Sequence, residues 1–240
     1  MNPNGLPLQN RSSRTERTRA ALIAAGRQLF SDHPVDAVTV DDIVQSAKVG
    51  KGSFYNHFAD RETLLRAISS EIRASIERAV ALANADIRDP ARRLARAMCV
   101  YLRFAVDDPE RARVLARIQS GVTSLAAPLN RGLVDDIAQG LAAARFSASL
   151  EDGVLYVLGI TQIALVRVLE EPTTRVALGI SQRMCALTLR GLGVEAAGAD
   201  FIAAQASDDI VRRGTRKRGD RTELHSASRI SKPTPGKKPR

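Results

Sequence analysis

Apolar positions recur at helical spacing along most of this chain. Over residues 13–31, Leu22, Ile23, Leu29 and Phe30 share one stripe, which stops before His33-Pro34. Gly26 lies on that stripe, where it costs helix propensity but admits a closely packed neighbour. Val40, Ile43, Val44 and Ala47 predict a short second helix, interrupted at Lys48-Val49-Gly50. Phe54 and Phe58, four residues apart, mark the inner face of a third helix over 51–58. Leu64, Leu65, Ile68, Ile72, Ile76 and Val80 predict a long helix over 60–85. Leu94, Ala97, Met98, Tyr101, Leu102 and Ala105 continue the pattern, and a shorter helix carries Leu115 and Ile118. After Pro128 another carries Leu133, Ile137 and Leu141. Residues 154–169 are apolar nearly all round, so every side of that helix needs cover. A last helix is expected from Thr173 or Thr174 through Gly191.

Pro34, Pro90, Pro109, Pro128 and Pro172 all fall between these periodic segments, as an all-helical chain requires. Capping residues agree: Asp89 and Asp108 each precede a proline, and Ser149 stands three before Asp152. No alternating strand pattern competes, and no internal repeat is visible. The fold class is therefore all-α. The expected organisation is a flexible arm over 1–12, a three-helix domain over 13–60, a larger helical domain over 61–205 and a basic tail over 206–240.

Composition refines this picture in three respects. The chain has 240 residues and a formal charge of +10, enough length for one large or two small domains. Residues 207–240 hold eleven Lys/Arg against four Asp/Glu, so most of the basic excess belongs to the tail. Too polar to fold alone, that tail suits counterion release from nucleic acid or simple solvation. The two cysteines, Cys99 and Cys185, have no Cys or His nearby in sequence, which suits reduced core thiols of a cytoplasmic protein and no metal or other cofactor. No apolar run has the length of a membrane span, and no signal-peptide core stands at the start.

The most informative stretch is 39–58. Thr39 and Asp42 are spaced for a capping box ahead of the second helix. On the third helix, Gly52, Ser53 and Asn56 fall opposite Phe54 and Phe58, with Lys51 and Tyr55 at the flanks. That outer face offers hydroxyl, amide and ammonium groups and no carboxylate, and Gly52 leaves room for close approach. These are the needs of a helix entering the major groove of DNA.

The combination Thr39-Val40, Asp42-Ile43, Ala47, Val49, Lys51-Gly52-Ser53-Phe54-Tyr55, His57-Phe58 and Asp60-Arg61-Glu62 with Leu64 resembles the DNA-binding domain of TetR-family bacterial transcriptional regulators. The resemblance covers roughly 13–65. Two positions depart from the family pattern: Lys48 stands where glycine is usual in the turn, and Gly50 where serine usually caps the recognition helix. The resemblance implies phosphate contacts for His57 and Tyr55. Lys51 and Arg61 are expected as backbone clamps, and Thr39 as both cap and phosphate donor. Ser53, Gly52 and Asn56 are the base-edge candidates, Asn56 being suited to adenine. Arg11, Arg14 and Arg17 are placed to reach a groove or the phosphates, or to form a solvated helix face.

The three histidines are scattered and no catalytic constellation can be assembled, so an enzyme is not expected. The resemblance instead implies a small-molecule cavity in the second domain. Met98, Tyr101, Phe104, Ile118, Phe146, Tyr156 and Gln162 are its candidate lining, alongside the plainer reading of ordinary core. The absence of a charge cluster in that stretch favours an apolar or weakly polar effector. Small residues Gly159, Ala164, Gly179 and Ala186 suit helix packing across a homodimer, or close packing in a wholly intramolecular core. The expected function is a ligand-released repressor that binds a palindromic double-stranded operator as a dimer. The alternatives are a ligand-independent regulator, or a helical interaction scaffold of the same fold without operator recognition.

Overall fold

A computed structural model describes residues 8–117 and 124–214. All its regular elements there are helical. α1 spans Leu8–Asp32, α2 Val40–Ala47, α3 Lys51–Tyr55, α4 Arg61–Ala83, α5 Pro90–Asp107, α6 Pro109–Arg117, α7 Arg131–Ala142, α8 Leu150–Glu170, α9 Thr174–Gly191 and α10 Ala196–Ser207. α1 starts at Leu8, inside the stretch expected to be a flexible arm.

The local signals act where their chemistry predicts. Asp60, Asp89, Ser149 and Thr173 each accept a backbone N–H with their side chains, capping α4, α5, α8 and α9. Pro90 opens α5, where a missing N–H costs nothing. Leu22 and Phe30 of α1 are buried with Ile43, Phe54, Phe58 and Leu64, closing the core of the first three helices against α4. A Cβ on Gly26 would stand 2.9 Å from the Leu64 side chain and 3.1 Å from Ile68, so α1 and α4 approach closely at that glycine.

α5 runs through the middle of the second domain, packed by α4, α7, α8, α9 and α10. Its Leu94, Met98, Cys99 and Leu102 are fully buried. α8 is long and apolar enough to cross a membrane by length and composition, with a mean hydropathy of 1.6. Only one of its stripes is covered: Val154, Val157, Ala164, Leu165 and Val168 are buried, whereas Leu155, Ile163 and Val166 face outward.

The helices expected from the sequence stop at Gly191, and the structure adds α10 beyond them. Ala199, Ile202, Ala203 and Ala206 form its buried stripe, and the Glu195 carboxylate accepts the N–H groups of Ala197 and Gly198 at its start. The chain then passes through a π-turn, Asp208–Arg212, that buries Val211. Arg212 and Arg213 pair with Asp208 and Asp209, and Arg103 donates to the Val211 carbonyl oxygen. Residues 206–214, expected to begin a disordered tail, thus belong to the packed domain and carry little free charge. Residues 215–240 lie outside the described residues.

Candidate functional site

α2 and α3 form a helix-turn-helix whose geometry is set residue by residue. Thr39 is extended (φ −102°, ψ 165°), its hydroxyl oxygen accepts the Asp42 N–H at 3.2 Å, and the Asp42 carboxylate accepts the Thr39 N–H at 2.9 Å. The Thr39 hydroxyl also donates to that carboxylate, and these bonds hold Asp42 below the usual carboxyl range. Lys48 takes the left-handed conformation (φ 55°, ψ 44°), and its N–H closes the end of α2 on the carbonyls of Val44 and Gln45. Gly50 is the N-cap of α3 without any side-chain cap.

Phe54 and Phe58 anchor α3 inward, with ring centroids 5.9 Å apart. The helix ends earlier than expected: Asn56 is its C-cap, and His57 and Phe58 follow as a turn on the Phe54 carbonyl. Lys51, Gly52, Tyr55 and Asn56 are exposed, while Ser53 and His57 are half-buried. Nothing stands within 4 Å of a Cβ built on Gly52, so free space lies over the centre of this face. The Tyr55 ring packs edge-on against Phe54 at 5.4 Å and leaves its outer edge exposed. Arg14 and Arg17 are exposed on α1, whereas Arg11 has no described side chain.

Two expected clamps are engaged inside the protein. Lys51 reaches the Asp41 carboxylate at 2.8 Å, which raises its pKa above the usual lysine range. It remains on the outer face. Arg61 differs more sharply. Its guanidinium donates to the carbonyls of Val35, Asp36 and Val38 at 3.0, 3.3 and 2.9 Å, bracing the link between α1 and α2. Arg61 thus braces the domain through one guanidinium nitrogen, and its side chain stays partly exposed. Backbone carbonyls that lie 23–26 residues back along the chain leave no mark in a side-chain pattern.

The helices α4 to α8 enclose a cavity of about 90 Å³. Met98, Tyr101 and Gln162 line it, with Leu94, Leu115, Leu133 and Val157 supplying much of the apolar wall. Three other candidates lie elsewhere. Phe104 packs under the Arg111 guanidinium, and Phe146 fills the space over Gly140. Tyr156 lies against Gly191 and donates to the Leu187 carbonyl oxygen. Ile118 falls outside the described residues.

The cavity is more polar than the sequence suggested, because Arg73 of α4 and Asn130 also line it. Arg73 donates to the Asn130 side chain at 2.7 Å, and the Tyr101 hydroxyl donates to Glu77 at 2.7 Å. Burial raises the Glu77 pKa, opposed by the Tyr101 hydrogen bond and the Arg73 charge. Arg73 and Glu77 are one helical turn apart, so their charges offset each other. Gln162 donates to the Ala116 carbonyl oxygen at 2.8 Å, tying α8 to the end of α6. Among the described residues, no group of three metal-ligating side chains gathers.

α6 joins the cavity to α1, against which α2 of the helix-turn-helix packs. Leu115 lines the cavity, while the neighbouring Arg117 donates to the Phe30 and His33 carbonyls of the α1 end at 2.7 and 2.6 Å. At its other end Glu110 pairs with Arg27 of α1 at 3.0 Å.

Residues 22–68 match the bacterial regulatory proteins of the tetR family. The chain carries a TetR-family DNA-binding domain. This domain is similar to that of the transcriptional repressor DhaR from Mycobacterium sp. strain GP1, 35% identical over 78 residues, or 32% of this chain and 39% of DhaR. It is also similar to the A-factor receptor protein of Streptomyces griseus, 30% identical over 67 residues, or 28% of this chain and 24% of the receptor. The chain thus matches well under half the length of these curated relatives. Beyond the TetR-type domain the likeness is carried by the fold. RolR, solved with resorcinol bound, is 28% identical with a TM-score of 0.56, covering 80% of this chain and 96% of RolR. A putative tetR-family regulator from Shewanella, 16% identical, superposes with a TM-score of 0.65 over 74% of this chain and 99% of that one.

Proposed function

We propose that this protein is a dimeric TetR-type repressor that binds a pseudo-palindromic DNA operator and is released by a small ligand in the cavity of the second domain. The observation that carries DNA binding is the outward face of α3, where Gly52, Ser53, Tyr55 and Asn56 surround open space and Phe54 and Phe58 hold the helix in place. Asn56 and Ser53 read base edges, and Tyr55, His57, Lys51 and Thr39 hold the phosphates. Lys51 exchanges its exposed Asp41 partner for a phosphate, at little cost for a surface pair.

Dimerisation uses the uncovered side of α8 with α9. Leu155, Gly159, Ile163 and Val166 recur there at three- and four-residue spacing, next to Leu187 of α9. Ile163 is 70% exposed, and no Cβ neighbour stands within 4 Å of Gly159, so this stripe has room for a second copy. Ala164 and Ala186, expected at the interface, are buried within the protomer instead.

Ligand release follows from α6. A ligand that displaces Leu115 or competes for Gln162 moves the helix whose Arg117 holds the end of α1, shifting the population between operator-binding and released geometries. The cavity volume suits roughly one small ring before the walls yield. Its apolar wall, with offset charges at Arg73 and Glu77, favours a neutral hydroxylated ring over a carboxylate. RolR, with resorcinol, is a relative of that kind. The test is an electrophoretic shift with DNA from upstream of the protein's own coding region against excess non-specific competitor. A retained specific shift, reversed by resorcinol but not by benzoate, supports the proposal. No specific shift with any upstream fragment overturns operator binding, and a specific shift insensitive to every small phenol overturns the ligand assignment.

A further inference from the structure

We infer that Cys99 and Cys185 form a redox pair that closes to an intramolecular disulfide, tying α5 to α9. Eighty-six residues separate them in sequence, yet their sulfurs stand 3.9 Å apart, both fully buried. They are the chain's two cysteines, so neither has a competing thiol within the protomer. Closing to a disulfide brings the sulfurs to about 2.05 Å, a movement that side-chain rotation and a small approach of two packed helices supply. α5 and α9 are packed against each other, so the backbones are already neighbours.

The surroundings distinguish the two thiols. Cys99 lies 3.6 Å from the Ser207 hydroxyl, and Cys185 lies 3.6 Å from the Ala95 carbonyl oxygen. The contact with Cys185 holds Cys99 below the usual thiol range; Ser207, Ser181 and the Arg96 charge help, and burial opposes. Cys185 is pushed up by the same contact and by burial. Cys185 donates its S–H to the Ala95 carbonyl oxygen, which keeps that thiol protonated and leaves Cys99 as the nucleophile and Cys185 as the resolving thiol. Ser207 is the residue at which α10 gives way to the π-turn of Asp208–Arg212, so the Cys99 sulfur stands beside a break in regular α-helix.

The oxidant is a hydroperoxide. The Cys99 thiolate attacks the peroxide oxygen, the O–O bond breaks, and water or an alcohol leaves with one proton. The Cys185 sulfur then attacks the sulfenic sulfur, the S–O bond breaks, and hydroxide leaves as water with the Cys185 proton. Two thiols and one hydrogen peroxide become one disulfide and two waters. The bond ties the helix bearing Met98 and Tyr101 of the cavity to the helix bearing Leu187 of the uncovered face. That consequence rests on the proposed function; the thiol chemistry does not.

The experiment treats the full-length reduced protein with hydrogen peroxide, then counts thiols in denaturant and records the intact mass and the non-reducing gel. The expected result is loss of both thiols, a mass lower by two hydrogens and a protomer that remains single on the gel. Cys99→Ser keeps its remaining thiol under the same treatment, whereas Cys185→Ser stops at a sulfenic acid on Cys99, heavier by one oxygen, and the wild-type mass decides even if a variant misfolds. In the wild type, two intact thiols, added oxygens or a cross-link between chains overturn the pair. Operator affinity is measured on reduced and oxidised protein. A several-fold change absent from Cys99→Ser supports a switch, and an unchanged affinity overturns the switch. A protein that never binds DNA overturns the regulator reading while the thiol result stands by itself.

Discussion

At the scale of single residues, two kinds of arginine and asparagine contact look alike in sequence and differ in consequence. Arg61 donates to the carbonyls of Val35, Asp36 and Val38, so Arg61→Ala should destabilise the protein by about 1–3 kcal/mol. Asn56 is exposed, and Asn56→Ala should leave the melting temperature unchanged while relaxing preference at one or two operator positions, by about 1–3 kcal/mol there. Thermal melts beside a binding-site selection separate the two; a stable Arg61→Ala protein would show that the brace is dispensable. Carboxyl titration makes a second residue-scale prediction with opposite signs. Thr39 holds Asp42, and Thr63 holds Asp60, below the unfolded range. Their contribution is therefore complete above about pH 4 and drains away as pH falls through the folded values. Burial raises Glu77, so its contribution is complete below about pH 4 and is lost as pH rises through the folded value. Denaturation curves across pH should show Asp42→Asn flattening the acid limb and Glu77→Gln flattening the limb just above it. Unaltered limbs in both variants would contradict these assignments.

At the scale of elements, α8 has two faces that a single substitution each can tell apart. Ile163 points away from the protomer and Ala164, its neighbour, points into it. Ile163→Asp should give folded monomers, since the new carboxylate meets water once the partner is gone. Ala164→Asp should unfold the protein, because it buries an unpaired charge against the core. Sedimentation and circular dichroism read the two outcomes, and a dimeric Ile163→Asp would place the interface elsewhere. The uniform apolar character of 154–169 predicted full cover, and a single protomer supplies cover on only one side.

At the scale of the whole molecule, α6 stands between cavity and DNA-binding domain. Arg117→Gln should keep operator affinity within a few-fold while blunting release by ligand, because it weakens the hold on the Phe30 and His33 carbonyls. Ligand titration of preformed operator complexes measures this; undiminished release would remove α6 from the coupling. The basic excess has a separate address. Arg212 and Arg213 are paired within the packed domain, so nine Lys/Arg against two Asp/Glu remain in residues 215–240. Truncation after Gly214 should keep operator preference and weaken binding to random DNA, with each lost phosphate contact reducing the salt slope by close to ~0.9. Equal slopes for both proteins would leave residues 215–240 with no part in DNA binding.

What the sequence by itself determined is local chemistry. The Thr39–Asp42 capping box, the left-handed Lys48, the inward Phe54 and Phe58 and the glycine contact of α1 with α4 all arise from interactions within a few residues or from a missing Cβ. Even α10 had its signal in Glu195 and the 199, 202, 203, 206 spacing, masked by small alanines that read weakly as apolar. Only the tertiary structure decided which distant groups meet. It gave Arg61 three backbone carbonyls to brace, placed Phe104, Phe146 and Tyr156 away from the cavity and brought Arg73, Glu77 and Asn130 into or beside it. It also set Cys99 beside Cys185. Periodicity fixes the face of a helix on which a side chain lies; the packing of whole helices, set by the sum of many weak contacts, fixes what that face meets.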